Sequence, residues 1–231
     1  MDNVIVATVK EWNIKNYFDL KNRFLDQYNF ILISDKDELS AEQIKEISPK
    51  YIFFPHWSWM IPKEIYDVYE CIVFHMTDLP FGRGGSPFQN LIIQEIYNTK
   101  ISALKVDSGI DTGDIYLKEN FNISNGSAEE NFIQLSHVIF TKMIPEILEG
   151  NIEPSKQEGE GTSFQRRRPE DSDICTIKEK SISKLFDFIR MLDAEGYPKA
   201  NLKLDGVKFE FSEVHLKNNK LVGRFEVAEN E

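Results

Sequence analysis

The first 150 residues alternate short apolar runs with stretches in which apolar positions recur at helical spacing. This pattern is typical of a sheet of parallel strands joined by crossover helices. The apolar runs predict strands over residues 4–9, 30–34, 51–54, 71–74, 101–106 and 115–121. Helices are predicted around residues 17–25, after the cap Ser40, from Pro62, and over residues 88–97 (packed on the sheet) and 127–148. The sequence therefore predicts a Rossmann-like, mostly parallel α/β sheet flanked by helices.

The remaining residues follow a different pattern. Residues 151–170 are polar and aperiodic, which predicts a surface connection. An amphipathic helix is predicted over residues 180–192, and short strands over residues 202–204 and 207–211, with the hairpin signal Asp205-Gly206 between them. Residues 215–216 and 221–227 extend the strand pattern around a second turn, Asn218-Asn219. We therefore predict a Rossmann-like domain over residues 1–150, a connecting segment over 151–175 and a small α+β appendage, a helix plus a hairpin, over 176–231.

The net charge of −11 affects which partners the chain is expected to bind. Binding to a nucleic-acid backbone depends on Lys and Arg that displace condensed counterions, so we expect no nucleic-acid partner. No apolar run approaches the roughly 20 residues that a membrane span requires, and the N-terminus lacks a signal-peptide pattern. The two cysteines, Cys71 and Cys175, form neither a metal-binding nor a disulfide pattern. These features predict a cytoplasmic protein without membrane contact.

A histidine at the end of a predicted strand begins the first stretch that suggests chemistry. Residues 75–87 follow the fourth strand and are rich in Gly and Pro. Loops beyond the carboxyl ends of strands are where open α/β sheets bind ligands. His75 can therefore act as a proton-transfer group beside backbone amides, although a lone histidine in such a position is more often structural.

A second polar loop, residues 106–114, contains Asp107, Asp111 and Asp114. The ligand pattern of a calcium loop, with its terminal Glu, is absent, so no metal is expected. The neighbouring glycines instead allow a tight turn that lifts Asp111 into a cleft. A carboxylate beside a histidine orients the imidazole and stabilises its protonated form. We therefore expect the two strand-end loops to bring His75 and Asp111 together, although these residues are 36 positions apart.

Together these loops resemble two motifs of the folate-dependent formyltransferase family, which includes methionyl-tRNA formyltransferase, glycinamide ribonucleotide formyltransferase and the sugar N-formyltransferases. The first motif is matched by His75, Thr77, Leu79, Pro80, Arg83 and Gly84, with Thr77 and Asp78 where the family has Ser and Leu. The second is matched by Asp107, Gly109, Asp111, Gly113 and Asp114. The resemblance covers residues 1 to about 175.

This resemblance implies the formyltransferase fold and transfer of a formyl group from 10-formyltetrahydrofolate to a primary amine, with catalytic roles for His75 and Asp111. It implies that the folate binds between two loops, one with Trp57, Trp59, Met60 and Ile61 and the other with Val106, Asp107, Ser108 and Gly109. The acceptor is expected to border Thr77, Arg83, Gly84, Gly85 and Tyr197. Tyr197 can alternatively be a packing residue of a turn, and Arg83 can anchor its own loop through a carboxylate.

One position departs from the family motif. Val73 stands two residues before His75, where the family has an asparagine whose amide holds the formyl oxygen. Such a donor lowers a reaction barrier by a few kcal/mol, so we expect another donor to replace it. His56 is the candidate for this catalytic role, followed by Gln89 and Thr77. The alternative is that His56 only caps a turn.

The acceptor is inferred from length and charge. Family members that act on tRNA have a larger, basic C-terminal domain, whereas this chain is short and acidic. We therefore expect a nucleotide-linked amino sugar, and residues 53–59 and 74–87 most resemble enzymes acting on UDP-4-amino-4,6-dideoxy-N-acetyl-altrosamine on the pseudaminic acid route. A homodimer is also expected. The alternatives are a methionyl-tRNA formyltransferase-like enzyme, another small-amine formyltransferase, or a non-catalytic folate-binding homologue, which Val73 favours.

Overall fold

The computed structural model describes residues 1–229 of the chain. Its longer strands are β1 (Asp2–Ala7), β2 (Tyr28–Ile33), β3 (Tyr51–Phe54), β4 (Glu70–His75), β5 (Asn98–Lys105), β6 (Ile115–Asn122), β7 (Ala200–Leu204), β8 (Val207–Lys217) and β9 (Lys220–Glu229). Its helices are α1 (Glu11–Arg23), α2 (Ala41–Ile47), α3 (Lys63–Tyr66), α4 (Pro87–Ile93), α5 (Ala128–Val138), α6 (Ile144–Gly150) and α7 (Ile182–Arg190). The predicted strands of the first 150 residues are all present, with ends within three residues of those expected.

The described residues form two compact units. Unit 1 contains residues 1–83, 100–121 and 133–163, and unit 2 contains residues 84–99, 122–132 and 164–229. Two segments of the predicted N-terminal domain, 84–99 and 122–132, therefore cluster with C-terminal residues. The predicted connecting segment is also divided, because residues 151–163 belong to unit 1.

Unit 1 is built on a six-stranded sheet with the strand order β2-β1-β3-β4-β5-β6. The pairs β1–β2, β1–β3 and β3–β4 are parallel, whereas β4–β5 is antiparallel. The register aligns Ile5 with Ile52 and Ile52 with Cys71, and all three are at most 1% exposed. Each fully buried isoleucine stabilises the fold by about 1.5–3 kcal/mol. The predicted α/β fold with a mainly parallel sheet is confirmed.

Two predicted helix boundaries illustrate how local sequence acts. The Ser40 hydroxyl accepts a hydrogen bond from the Gln43 amide at 3.3 Å, so the predicted N-cap of α2 is confirmed. Helix α4 ends at Ile93 instead of continuing to residue 97, because Glu95 adopts a left-handed conformation with φ of 58°. This helix belongs to unit 2, where the ring of Phe88 lies 5.5 Å from that of Phe132.

Unit 2 contains a three-stranded antiparallel sheet with the order β9-β8-β7. The turn between β7 and β8 has Asp205 and Gly206 at φ of 46° and 84°, which confirms the predicted hairpin. Strand β8 includes the predicted segments 207–211 and 215–216, with a register shift after Ser212, where Glu213 has a φ of 53°. The amphipathic helix α7 is present, shorter at both ends than expected.

A buried arginine connects separate segments of unit 2. Arg190 is 1% exposed, and its Nε donates to Asp187 Oδ1 at 2.7 Å. Its two terminal nitrogens donate to the carbonyls of Gly126 and Ile123, each at 3.0 Å. The Tyr97 hydroxyl donates to the other oxygen of Asp187 at 2.7 Å. Each of the three guanidinium nitrogens of Arg190 therefore donates a hydrogen bond, as a buried charge requires.

Within residues 1–229, none of the helices has both the length and the apolar character needed to cross a lipid bilayer.

Candidate active site

His75 is the last residue of β4 and is almost fully buried. Its Nε2 lies 2.8 Å from the carbonyl oxygen of Gly82. Because a carbonyl oxygen can only accept, Nε2 carries a proton and donates it there. The tautomer of the neutral ring is thereby fixed, with its second nitrogen, Nδ1, as an acceptor.

Asp111 occupies the Nδ1 side of this imidazole. Its Oδ2 lies 3.4 Å from His75 Nδ1, and the side chains are 18% and 9% exposed. Two acceptors facing each other repel unless a proton lies between them, so the pair is suited to hold one proton and to exchange it with a bound group. The predicted proximity of His75 and Asp111 is confirmed, and their catalytic roles stay predictions.

Asp111 reaches His75 through a loop that turns back along β4. Strand β5 is antiparallel to β4, so its carboxyl end lies beside the amino end of β4, and the Val106 amide donates to the Cys71 carbonyl at 2.8 Å. The loop after β5 therefore starts at the opposite end of β4 from His75 and must turn back along that strand. The two strand-end loops thus meet as predicted, by a path that the sequence analysis did not specify.

The turned-back loop, residues 106–114, is stabilised from within. Asp107 Oδ1 accepts from the Gly109 amide at 2.9 Å and from the Thr112 hydroxyl at 2.7 Å. A Cβ on Gly113 would lie 1.8 Å from the Lys105 carbonyl oxygen, so only glycine fits that close approach. Asp111 itself has a φ of 54°. The predicted folate-binding residue Asp107 thus uses one carboxylate oxygen to shape the loop.

A residue that the sequence did not single out links this loop to the His75 loop. Gln157 Nε2 donates to the carbonyls of Asp111 and Gly113 at 2.8 and 2.9 Å. Its Oε1 accepts from Arg83 Nε at 3.1 Å and from a terminal nitrogen of Arg83 at 2.7 Å. Arg83, predicted to border the acceptor, therefore anchors its own loop, through an amide and not through a carboxylate. The sequence did not indicate this role for Gln157, because the residue lies in a polar, aperiodic segment that predicts only a surface connection between domains.

Asp78, which replaces the Leu of the family motif, is explained by two lysines. Lys118 Nζ lies 2.6 Å from Asp78 Oδ1 and also donates to the Leu79 carbonyl, and Lys100 Nζ lies 3.1 Å from Asp78 Oδ2. Burial opposes ionisation of Asp78, but the bonds from Lys118 and Lys100 outweigh it and lower its pKa. These contacts fix the loop whose Gly82 carbonyl accepts from His75.

The loop after β3 provides the aromatic wall predicted for the folate. The Trp57 and Trp59 rings are 4.9 Å apart, and Trp59 and Met60 are 42% and 81% exposed, whereas Ile61 is buried. Trp57 and Val106 pack on the same core cluster, so the two predicted folate loops share one support. The Trp57 Nε1 is buried without a hydrogen-bond partner among the described residues, as a donor awaiting a ligand acceptor would be.

His56, the predicted replacement for the family asparagine, lies two residues beyond β3. It has a φ of 53°, and its ring lies edge-on to Trp12 with 5.1 Å between centroids. Val73 packs against the core cluster that supports Trp57. The contact with Trp12 agrees with a packing role for His56, and its role as an oxyanion donor stays a prediction.

The residues predicted to border the acceptor fall into both units. Thr77 is buried in unit 1, with its hydroxyl 3.4 Å from the Gly82 carbonyl. In unit 2, a Cβ on Gly84 would lie 2.8 Å from the Phe164 carbonyl, and one on Gly85 would lie 2.6 Å from the Arg166 Cβ. Both glycines are therefore required by close packing of the chain. Tyr197 packs on Phe132 and lines an open cavity of about 580 Å³ in unit 2.

Within the described residues, no group of three or more His, Cys, Asp or Glu side chains is arranged to hold a metal ion.

Three known proteins with similarity to this chain indicate its family. A methionyl-tRNA formyltransferase structure from Clostridium thermocellum is 53% identical, with a TM-score of 0.96 over 100% of both chains. The curated methionyl-tRNA formyltransferase of Clostridium beijerinckii is 28% identical over 94% of this chain and 70% of its own length. A sugar N-formyltransferase structure from Shewanella sp. is 14% identical, with a TM-score of 0.71 over 100% of this chain and 99% of its own.

The C-terminal part of the chain also matches a family. Residues 169–228 match the family described as methionyl-tRNA formyltransferase, C-terminal domain. The chain nevertheless spans about half the length of several of the curated relatives it matches.

These findings correct two predictions about partners. The nucleotide-linked amino sugar is overturned as acceptor, because the full-length match at 53% identity is a tRNA enzyme by name and the sugar enzyme matches at 14%. The exclusion of nucleic acid is overturned by the same match. It rested on the charge of the whole chain, whereas a nucleic acid interacts with the local charges of one surface.

Proposed function

Because this chain belongs to the formyltransferase family, we propose that it transfers the formyl group of 10-formyltetrahydrofolate to the amino group of methionyl-tRNA. The observation that carries the proposed chemistry is the pairing of His75 Nδ1 with Asp111 Oδ2 at 3.4 Å. The acceptor is supported by the full-length similarity to the C. thermocellum protein at 53% identity.

The two side chains have complementary tasks in this reaction. When bound, the folate would supply an activated formyl carbon and a leaving nitrogen, which needs a proton as its bond to that carbon breaks. The acceptor amine must lose a proton as it forms the new C–N bond. Asp111 takes up that proton, directly or through water, and holds the imidazole in its orientation. Once that proton is shared with Nδ1, His75, held through Nε2 by the Gly82 carbonyl, would stabilise the negative charge on the formyl oxygen and then return the proton to the folate nitrogen that leaves the formyl carbon. Both groups are largely shielded from solvent, which strengthens these interactions.

The residues around the folate loops fit a flat heterocycle with polar edges. Trp57 and Trp59 offer aromatic surface, and Met60 adds an adaptable apolar side chain. The unpaired Trp57 Nε1 gives the site a hydrogen-bond donor for which a pterin has several acceptors.

The distribution of charge along the chain supports a tRNA acceptor better than the net charge of −11 does. Residues 164–231 contain 13 Lys and Arg and 13 Asp and Glu, so the acidic excess lies elsewhere in the chain. Arg166 and Arg168 are exposed, and unit 2 also exposes Lys203, Lys217 and Lys220. Such side chains contact phosphates and release counterions, which makes binding salt-dependent.

The test is formylation of defined acceptors by the purified protein. Methionyl-tRNA, uncharged tRNA, free methionine and a nucleotide-linked amino sugar are each supplied with 10-formyltetrahydrofolate, and tetrahydrofolate release is followed together with the formylated product. We expect product only from methionyl-tRNA, with kcat/KM falling steeply between about 50 and 200 mM salt. Turnover of a free amine or amino sugar, with none on methionyl-tRNA, would refute the acceptor. Folate binding without turnover of any amine would refute the proposed formyltransferase activity.

A further inference from the structure

Residues 155–163 of unit 1 contact both loops of the candidate active site. We call this segment the strap. At its start, Ser155 exchanges two backbone hydrogen bonds with Ile115, directly after the Asp111 loop, at 2.7 and 2.9 Å. Near its end, Thr162 accepts from the Arg83 amide at 3.0 Å and donates to the Pro80 carbonyl at 3.1 Å, while its hydroxyl accepts from the Gly82 amide at 2.8 Å. The strap therefore joins the loop of Asp111 to the loop of His75.

Gln157 lies in the middle of the strap and uses the full capacity of its amide. Both protons of Nε2 go to carbonyls of the Asp111 loop, and both acceptor positions of Oε1 are taken by Arg83. Four hydrogen bonds on one side chain offset the entropy of fixing a flexible glutamine. Since Asp111 must turn back along β4 to reach His75, its backbone needs an external support, and Gln157 binds that backbone at Asp111 itself.

We propose that Gln157 is a positioning residue that sets the distance between Asp111 and His75 for formyl transfer. Its amide group fixes the Asp111 backbone relative to Arg83, and Arg83 follows Gly82, whose carbonyl fixes His75 Nε2. The Gln157 side chain therefore links the backbone of Asp111 to the residue that follows Gly82. The proposal rests on the proposed function, because it concerns the geometry of that reaction.

Two substitutions separate the two halves of the Gln157 amide. Gln157→Glu keeps an acceptor for Arg83 and converts that contact to an ion pair, but it places a carboxylate oxygen against the carbonyls of Asp111 and Gly113. Gln157→Met keeps the length of the side chain and removes all four hydrogen bonds. Gln134→Glu, at an exposed glutamine of α5 in unit 1, is the matched control for the change of charge.

For Gln157→Glu we expect kcat to fall about 10- to 100-fold, because displacement of a reacting group by about 1 Å has effects of that order. KM for the folate and for methionyl-tRNA should change less than about threefold, since neither substrate contacts this residue in the proposal. The thermal midpoint should stay close to wild type, because the ion pair with Arg83 replaces the lost bonds. Gln134→Glu should leave kcat, KM and the midpoint unchanged. Equal kcat for Gln157→Glu and wild type would overturn the proposal, as would a loss confined to KM.

A second measurement does not depend on turnover. The imidazole nitrogens of His75 are observed by NMR in protein labelled with 15N-histidine and assigned with His75→Ala. In Gln157→Met the Nδ1 signal should shift, because Asp111 is no longer held against it, whereas the Nε2 signal should change less. An unchanged Nδ1 signal in a folded Gln157→Met protein would overturn the positioning role even if the wild-type enzyme acts on another amine. Inactive wild-type protein with a shifted Nδ1 signal would instead refute only the proposed function.

Discussion

Two buried pairs, one in each unit, join a cationic or protonatable side chain to an aspartate, and they differ in how completely they are bonded. In unit 2, Arg190 Nε and Asp187 Oδ1 are 2.7 Å apart, and the other oxygen of that carboxylate accepts from Tyr97 at 2.7 Å. In unit 1, His75 Nδ1 and Asp111 Oδ2 are 3.4 Å apart. The first pair has contacts as short as charged hydrogen bonds become, whereas the second leaves its proton less tightly held.

Under the proposed function, this difference separates a structural pair from a reactive one. A buried ion pair in which every guanidinium nitrogen donates a hydrogen bond cannot change protonation or partner without large cost, so it fixes the fold around it. A longer contact, supported from outside by Gln157 and the Gly82 carbonyl, keeps its orientation while its proton can still move. An aspartate paired with a basic side chain therefore stabilises the fold in unit 2 and, in the proposed function, exchanges a proton in unit 1.

The largest expected effect comes from removing the proton chemistry of the unit 1 pair. His75→Gln and Asp111→Asn retain size and hydrogen bonding but cannot exchange a proton in the same way. Each should lower kcat about 10²- to 10⁴-fold, while the free energy of unfolding changes by less than about 1 kcal/mol. His137→Gln, at an exposed histidine of α5, is the control and should behave as wild type. Wild-type kcat in either active-site variant would show that this pair is structural as well.

The converse effect is expected in unit 2. Arg190→Met leaves the Asp187 carboxylate and the carbonyls of Gly126 and Ile123 without their donors, which should lower the free energy of unfolding by about 3–5 kcal/mol. Turnover per folded molecule should stay near the wild-type value. Urea titration followed by circular dichroism measures the first quantity, and assays at concentrations of folded protein taken from that curve give the second.

The control for this comparison is Arg224→Met. Arg224 forms ion pairs with Glu213 and Glu226 at the surface of the same unit, and its side chain is 59% exposed. Exposed pairs contribute about 0–1 kcal/mol, so little change is expected. If Arg224→Met and Arg190→Met destabilised the protein equally, burial would not be what distinguishes the Arg190 pair.

The parts of this structure that the sequence predicted are those with a local or short-period signal. The strands of unit 1, the cap Ser40 and the turn at Asp205-Gly206 each follow from residues adjacent in sequence. The direction of β5 was not predictable in this way, since the apolar pattern of a buried strand is the same in parallel and antiparallel pairing. The adjacency of His75 and Asp111 was nevertheless predicted, from motif residues and not from strand direction.

Long-range side-chain bonds were missed for a related reason. Gln157 and Arg83 are 74 positions apart, and Arg190 reaches carbonyls 64 and 67 positions away, so no periodicity marks either contact. Arg190 was assigned only to an amphipathic helix, because a long cationic residue at the end of a helix is usually exposed. The predicted amino-sugar acceptor was wrong in part because the net charge averages over both units. The acidic excess lies outside residues 164–231.

The smallest expected effect concerns pH and the third member of the unit 2 network. Burial, together with the hydrogen bond to Asp187, raises the pKa of Tyr97 to about 12, above the ordinary value near 10. A pKa raised by folding means that Tyr97 stabilises the fold fully below pH ~10 and loses that contribution as the pH rises through about 12.

Tyr97→Phe tests this dependence. At pH 8 the substitution should cost about 1–2 kcal/mol, because one hydrogen bond to a carboxylate is lost. Between pH ~10 and 12 the difference in unfolding free energy between wild type and Tyr97→Phe should shrink, since ionisation removes the wild-type advantage. Urea titrations at pH 8, 10, 11 and 12 measure it, with Tyr69→Phe as the control for loss of a half-buried hydroxyl in unit 1. A difference that stays constant with pH would mean that Tyr97 does not sense the Asp187 charge. The Arg190–Asp187 pair would then be less completely hydrogen-bonded than its distances indicate. Its hydrogen bonding would differ less from that of the His75–Asp111 pair.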